Sequence, residues 1–223
     1  MGELQVMSTT LSDAELRVLG TLIEKSLTQP GSYPLTANSI TLGCNQKQNR
    51  DPVVGYAETE VLQTLQRLES RDLVKHADPS PGARVYRFAH RVLDEFRWDR
   101  YQQAIMSELM LRGRQTAGEL RTHASRMVSF EHLSFVGEVL QSLMTHDPPF
   151  VAELPREPGR SANRFRHLLS GEETTATPAV DTAADDQSSP ESRNTLAPLA
   201  ERVAALETKV AQLSEIVERL QEH

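Results

Sequence analysis

The sequence predicts a mainly α fold with small β-hairpins, of the α+β class: two tandem winged-helix domains followed by a C-terminal coiled-coil helix. Three observations predict it. An order of three helices closed by a hairpin occurs twice between residues 10 and 170. Matching landmarks recur at an offset of roughly 75 to 80 residues, as an internal duplication would place them. The last stretch of the chain spaces its apolar residues alternately by three and four.

The first helix starts at Ser12, where Ser12 and Glu15 form a capping box, and Leu16, Leu19, Leu22, Ile23 and Leu27 make one apolar stripe behind it. Pro30, Gly31 and Pro34 interrupt the chain. Thr36 then opens a short second helix through Ile40 and Leu42 toward Cys44, and residues 45–52 form a polar loop. A third helix is expected from about Ala57 to Arg71, with Val61, Leu62, Leu65 and Leu68 inward. Leu73 to His76 reads as a strand, Asp78 to Gly82 as a turn and Arg84 to Phe88 as the return strand.

Ala89 to Arg97 is expected to be a helical connector into the second copy. There the helices run from about Asp99 to Leu111, from the Thr116/Glu119 cap, and from Ser134 to Met144 with Val136, Val139, Leu140 and Leu143 inward. Phe150 to Leu154 and Asn163 to His167 flank the turn Pro155 to Ser161. Thr36 thereby matches Thr116, Leu65 matches Leu140, and Phe88 matches Phe165. The expected boundaries are 10–90 and 91–170 for the two domains, 171–194 for a disordered acidic linker, and 195–222 for the coiled-coil helix.

In that last helix Val203, Val210 and Val217 occupy one core position and Leu199, Leu206, Leu213 and Leu220 the other. Branched residues at the first position with leucine at the second favour a parallel dimer, so a homodimer is expected through this seam. The alternative is a helix packed back on its own chain.

The net charge of −7 is unevenly placed. Residues 1–169 carry 20 basic and 20 acidic side chains and are neutral, whereas residues 170–223 carry 4 basic and 11 acidic. A neutral body neither demands nor forbids nucleic acid, which needs only a local basic patch. The single cysteine, Cys44, cannot form an internal disulfide, and the N-terminus has neither a basic start nor an apolar run. A cytoplasmic protein with no membrane span is expected.

The runs Leu35-Thr36-Ala37-Asn38, Cys44-Asn45-Gln46-Lys47-Gln48-Asn49-Arg50-Asp51-Pro52-Val53, Leu109-Met110-Leu111-Arg112-Gly113-Arg114-Gln115-Thr116-Ala117-Gly118-Glu119-Leu120-Arg121 and Leu154-Pro155-Arg156-Glu157-Pro158-Gly159-Arg160 resemble the YceH-like family of bacterial proteins, over about residues 10 to 171. The resemblance implies a tandem winged-helix fold, often with a coiled-coil tail, and no established biochemical activity.

No nucleophile with a base, metal cluster or phosphate loop is recognisable, so neither a cofactor nor catalysis is expected. Cys44 reads as a buried structural thiol. His76, His90, His123, His132, His146 and His167 lack ligand spacing, and the equivalent positions of His90 and His167 suggest a repeated packing or hydrogen-bonding role.

For double-stranded DNA the candidate contacts are Gln46, Lys47, Asn49 and Arg50 in the polar loop and Gln63, Thr64, Arg67 and Arg71 on the third helix. Arg84 and Arg87 in the first wing and Arg156, Arg160, Arg164 and Arg166 in the second complete the set, since amides and guanidinium groups suit base edges and phosphates. Arg50 and Arg114 could instead make structural bonds between the domains. Glu58, Glu60 and Glu69 make the first third helix slightly acidic, and its counterpart offers Ser134, Glu138, Gln141 and Ser142 without a cation. The two readings are a regulatory DNA-binding protein that contacts DNA mainly through its basic wings and the loop before the third helix, and a scaffold that presents polar and acidic surfaces to another protein.

Overall fold

A computed structural model describes residues 10–77, 85–156, 159 and 162–170. The linker 171–194 and the heptad helix 195–222 lie outside the described residues. The first half contains α1 (Asp13–Thr28), a 3-10 turn (Pro30–Ser32), β1 (Leu35–Thr36), α2 (Ala37–Cys44), α3 (Glu58–Glu69), β2 (Val74–Ala77) and β3 (Arg87–His90). After α4 (Val92–Phe96) come α5 (Arg100–Arg112), β4 (Gln115–Thr116), α6 (Ala117–Ala124), α7 (Leu133–Met144), β5 (Val151–Glu153) and β6 (Arg164–His167). The architecture is α+β: helices with two small antiparallel sheets, in the strand orders β1-β3-β2 and β4-β6-β5.

The two halves repeat in detail. Leu35 pairs with Phe88 in the first sheet and Gln115 with Phe165 in the second. Thr36 and Thr116 each end a two-residue strand and cap the next helix, accepting the N–H of Ser39 and of Glu119. The Ser12/Glu15 capping box opens α1, and Asp99 caps α5 through the N–H groups of Tyr101 and Gln102.

Several boundaries differ from expectation. The strands β1 and β4 were not anticipated, because two residues cannot display an alternation and their partners lie far along the chain. The return strand is Arg87–His90, not Arg84 to Phe88, and Arg84 lies outside the described residues. The connector helix therefore begins only at Val92, since Ala89 and His90 pair with Lys75 and Val74. Leu62 faces solvent, and Thr64 takes an inward place on α3, its hydroxyl donating to the Glu60 carbonyl at 2.8 Å.

One hydrophobic core runs through both halves. Its axis is the contact of α1 with α5. At Gly20 an added Cβ would come within 3.0 Å of Leu111 Cγ and 3.2 Å of Met110 Cβ, so glycine is what permits the close approach. Ser107 Oγ donates to the Gly20 carbonyl at 3.0 Å, tying the helices at the same level. Leu11 N–H donates to Leu169 O at 2.6 Å, stitching the ends of the body together. Every residue of α5 from Gln103 to Leu111 is buried. Its polar members are partnered accordingly: Gln103 donates to Trp98 O, Ser107 to Gly20 O, and Glu108 accepts from Arg126. Among the described residues no helix is long and apolar enough to cross a membrane.

Candidate nucleic-acid interface and the buried charge cluster

The polar loop after α2 turns inward. Asn45 brackets Tyr56, donating to its carbonyl and accepting its N–H, both at 2.8 Å. Gln46 accepts from Lys25 Nζ at 3.3 Å and donates to Gln48 O. Asn49 adopts a left-handed φ of 58° and accepts from Arg112 at 3.3 Å. Lys47 alone of the four loop candidates is fully exposed.

Arg50 cannot touch a phosphate. Its side chain is completely buried, and its guanidinium donates to Glu24 at 2.6 and 3.2 Å, to Gly43 O at 2.8 and 3.1 Å and to Asn49 O at 2.7 Å. A buried guanidinium must have such a carboxylate and carbonyl set, because an unpaired charge in the interior costs several kcal/mol, about 3–5 when a partner is removed. Arg50 leaves the candidate surface and becomes part of the core, with bonds that stay within the first half.

Glu24 is shared. Arg126, which follows α6, contacts Glu24 Oε1 through one terminal nitrogen and Glu108 Oε1 through Nε at 3.0 Å and its other terminal nitrogen. Both carboxylates are fully buried, while the Arg126 side chain keeps 26% exposure. Burial alone would raise the Glu24 carboxyl, but Arg50, Arg126 and Lys25 together hold it down at about 2. These residues were missed in the sequence. A signal existed: Ile105-Met106-Ser107-Glu108-Leu109-Met110-Leu111 is apolar around the whole helix, so a charge within it must be buried and paired.

The remaining candidates divide as follows. Gln63 is exposed on α3. Arg67 donates to Thr64 Oγ1 at 2.8 Å, and Arg71 donates to Thr10 O at 2.8 Å and stands 3.7 Å from the buried Glu15. Thr64 is buried and withdraws from the outward face. Arg87 donates to Pro34 O at 2.8 Å across the first sheet but stays exposed. Arg156 is exposed beyond β5, and Arg160 lies outside the described residues. Arg164 and Arg166 alternate along β6, the central strand of the second sheet, and so share one face; both are half-buried. Two pairs of predicted cations are thus brought together among the described residues: Arg164 with Arg166, and Arg67 with Arg71, which stand 4.0 and 3.7 Å from Glu15 Oε1. The dimerisation residues Leu199 to Leu220 lie outside the described residues.

The third helices present little positive charge. The first turn of α3 is exposed and carries Glu58 and Glu60, the latter accepting the N–H of Ala57 at 2.7 Å. On α7 Ser134, Glu138, Gln141 and Ser142 are exposed beside Leu133, which is 50% exposed, and α7 contains no Lys or Arg.

Cys44 is buried, with its thiol facing Thr21 Oγ1 at 3.5 Å, and burial pushes its pKa up. His90 ends β3 as His167 ends β6, opposite Val74 and Val151 respectively. The His90 ring Nε2 is 2.9 Å from Ser26 Oγ, the His90 backbone N–H donates to Tyr33 Oη at 2.6 Å, and burial pushes the imidazole down to about 4. Among the described residues no group of three or more histidine, cysteine or acidic side chains could hold a metal ion.

Residues 11–160 match the family model described as "Protein of unknown function, DUF480". The chain is 46% identical over 209 residues to a UPF0502 protein of Geobacter sulfurreducens, covering 93% of this chain and 91% of that protein. It is 45% identical over 206 residues to one from Geotalea uraniireducens, covering 92% and 90%. With one from Vibrio atlanticus the identity is 38% over 222 residues, covering 96% and 100%.

Proposed function

The chain belongs to the DUF480 family alongside these UPF0502 relatives, and on that premise we propose that it is a non-catalytic docking protein of the cytoplasm, two tandem winged-helix units whose outward faces bind another protein. The order helix, short strand, helix, helix and hairpin in each half supports the winged-helix reading. The heptad seam Leu199, Val203, Leu206, Val210, Leu213, Val217 and Leu220 supports a parallel homodimer.

One observation carries the choice of a protein partner. In winged-helix recognition of DNA the start of the third helix enters the groove between two phosphate rails. Here that turn bears Glu58 and Glu60 in the first unit, and the second unit's helix offers Glu138, Leu133 and no cation. Each exposed carboxylate opposes phosphate; α7 has no cation to offset it, and on α3 Arg67 stands two turns beyond the first-turn glutamates and faces Glu15. A face of polar amides and hydroxyls with an exposed leucine suits a protein surface.

A second reading, double-stranded DNA bound through the second wing, is favoured by Arg164 and Arg166 sharing one sheet face and by the exposed Arg156 in the same hairpin sequence. Titration of full-length protein with random duplex DNA separates the two. The docking reading expects no binding at physiological salt and none that depends on those arginines at low salt. Binding that falls steeply with salt and is lost in the Arg156→Ala, Arg164→Ala, Arg166→Ala variant would establish the second reading instead. A stoichiometric protein partner, insensitive to nuclease and lost with Leu133→Asp or Glu138→Lys, is the positive result.

A further inference from the structure

We propose that Arg126 is a clasp between the two halves, which holds them at one fixed angle by bridging Glu24 of α1 and Glu108 of α5, and that releasing it lets the halves part without unfolding either. The proposal goes beyond the docking reading and is independent of what the outward faces bind.

The geometry is asymmetric in a way that gives Arg126 this role. Glu24 keeps two other cations, Arg50 at 2.6 Å and Lys25 at 3.3 Å, so the first half is electrostatically complete by itself. Glu108 contacts no cation but Arg126 in these bonds, and its Oε2 has no partner among the described groups. The guanidinium thus completes the charge balance of the second half only while it also touches the first. Glu24 and Arg126 lie 102 residues apart in the chain, so no local element enforces the contact.

Glu108 also lies on the stretch of α5 that faces α1. Ser107 next to it donates to Gly20 O, and Leu111, one turn later, accepts the N–H of Asp51 from the first half. Without Arg126, Glu108 is a carboxylate buried between the halves with no counter-charge. Separating α1 from α5 there lets water in by opening the shared core along their contact, while α3 stays packed on α1 and α7 on α5. The 26% exposure of the Arg126 side chain makes the clasp reachable from solvent, whereas both carboxylates are sealed.

Hydrogen exchange on the full chain tests this through two amides that donate across the halves, Asp51 to Leu111 O and Leu11 to Leu169 O. Leu65 in α3 and Leu140 in α7 serve as internal references. Arg126→Met keeps the bulk and removes the charge. It is expected to speed exchange at Asp51 and Leu11 by at least about tenfold, with Leu65 and Leu140 changed by less than about threefold. Adding Glu108→Gln to Arg126→Met removes the stranded carboxylate and is expected to restore protection. Unchanged exchange at Asp51, an equal rise at all four amides, or no rescue by Glu108→Gln would each overturn the proposal. If Arg126→Met fails to fold, Arg126→Lys decides the matter: it keeps the charge but a single ammonium cannot bridge both carboxylates, so it must speed exchange at Asp51 and Leu11 beyond that at Leu65 and Leu140, and unchanged exchange at Asp51 would overturn the proposal.

Discussion

Asp51 donates its backbone N–H to the carbonyl of Leu111 at 2.9 Å, which fastens the polar loop after α2 to the end of α5. Arg112 reinforces the junction by donating to Asn49. The two longest distinctive runs of the sequence, 44–53 and 109–121, therefore meet each other. At that meeting Asn49 and Arg112 pair across the halves, while Asn45, Gln46 and Arg50 bond within the first half.

Arg50→Ala is expected to destabilise the protein by about 3–5 kcal/mol, because Glu24 loses its fully buried partner and the Gly43 carbonyl loses two donors. Chemical denaturation of the variant measures the loss. A surface arginine would change stability by well under about 1 kcal/mol, so a near-neutral result would contradict the burial.

Gly43→Ala would bring a Cβ within 2.7 Å of Thr21 Cγ2, closer than side chains tolerate. A loss of about 1–3 kcal/mol is expected from this overpacking. Combining it with Thr21→Ser, which deletes the clashing methyl and keeps the hydroxyl that Cys44 faces, should recover most of the loss in thermal unfolding.

Stability should fall in acid in two windows. Burial holds the His90 imidazole at about 4 against 6.5 when exposed, so the unfolded chain binds the extra proton between those values. Stability is complete above pH 6.5 and declines down to pH 4, by about 3 kcal/mol for this group. Glu24, held at about 2 against 4.5, contributes stability above pH 4.5 that is lost as the pH falls toward 2. Unfolding free energies measured from pH 7.5 to 4.5 should slope downward in the native chain and flatten in His90→Gln.

Leu206→Asp with Leu213→Asp places charges on the heptad seam and is expected to leave the body folded while converting full-length protein to monomer. Light scattering reads the mass directly. A native chain that is already monomeric, or a variant that stays dimeric, would remove the zipper from the proposed function.

Much of the candidate site was misread for one physical reason. Gln46, Asn49 and Arg50 have the composition of a groove-facing loop, and the partners of Arg50 within ten residues are only the backbone carbonyls of Gly43 and Asn49, which a sequence does not mark. Its carboxylate lies 26 residues away, and the carboxylates of Arg126 lie 18 and 102 residues away. Charges paired over such separations look solvated in one dimension. Glu58, Glu60 and the cation-free α7, by contrast, could be judged from the sequence, because a helix face is set by spacing alone.

The sequence by itself determined the elements: the helix starts at Ser12, Thr36, Asp99 and Thr116, the inward faces of α1 and α7, and the duplication. Each of these rests on interactions within about one helical turn or on a repeat that can be aligned by eye. Only the tertiary structure decided that Arg50 is interior, that β1 and β4 exist, and that Gly20, Ser107, Glu24, Glu108 and Arg126 join the halves into one core. Those facts depend on which surfaces meet across the fold. Desolvation at that meeting, and not local propensity, dictates which charges must find partners.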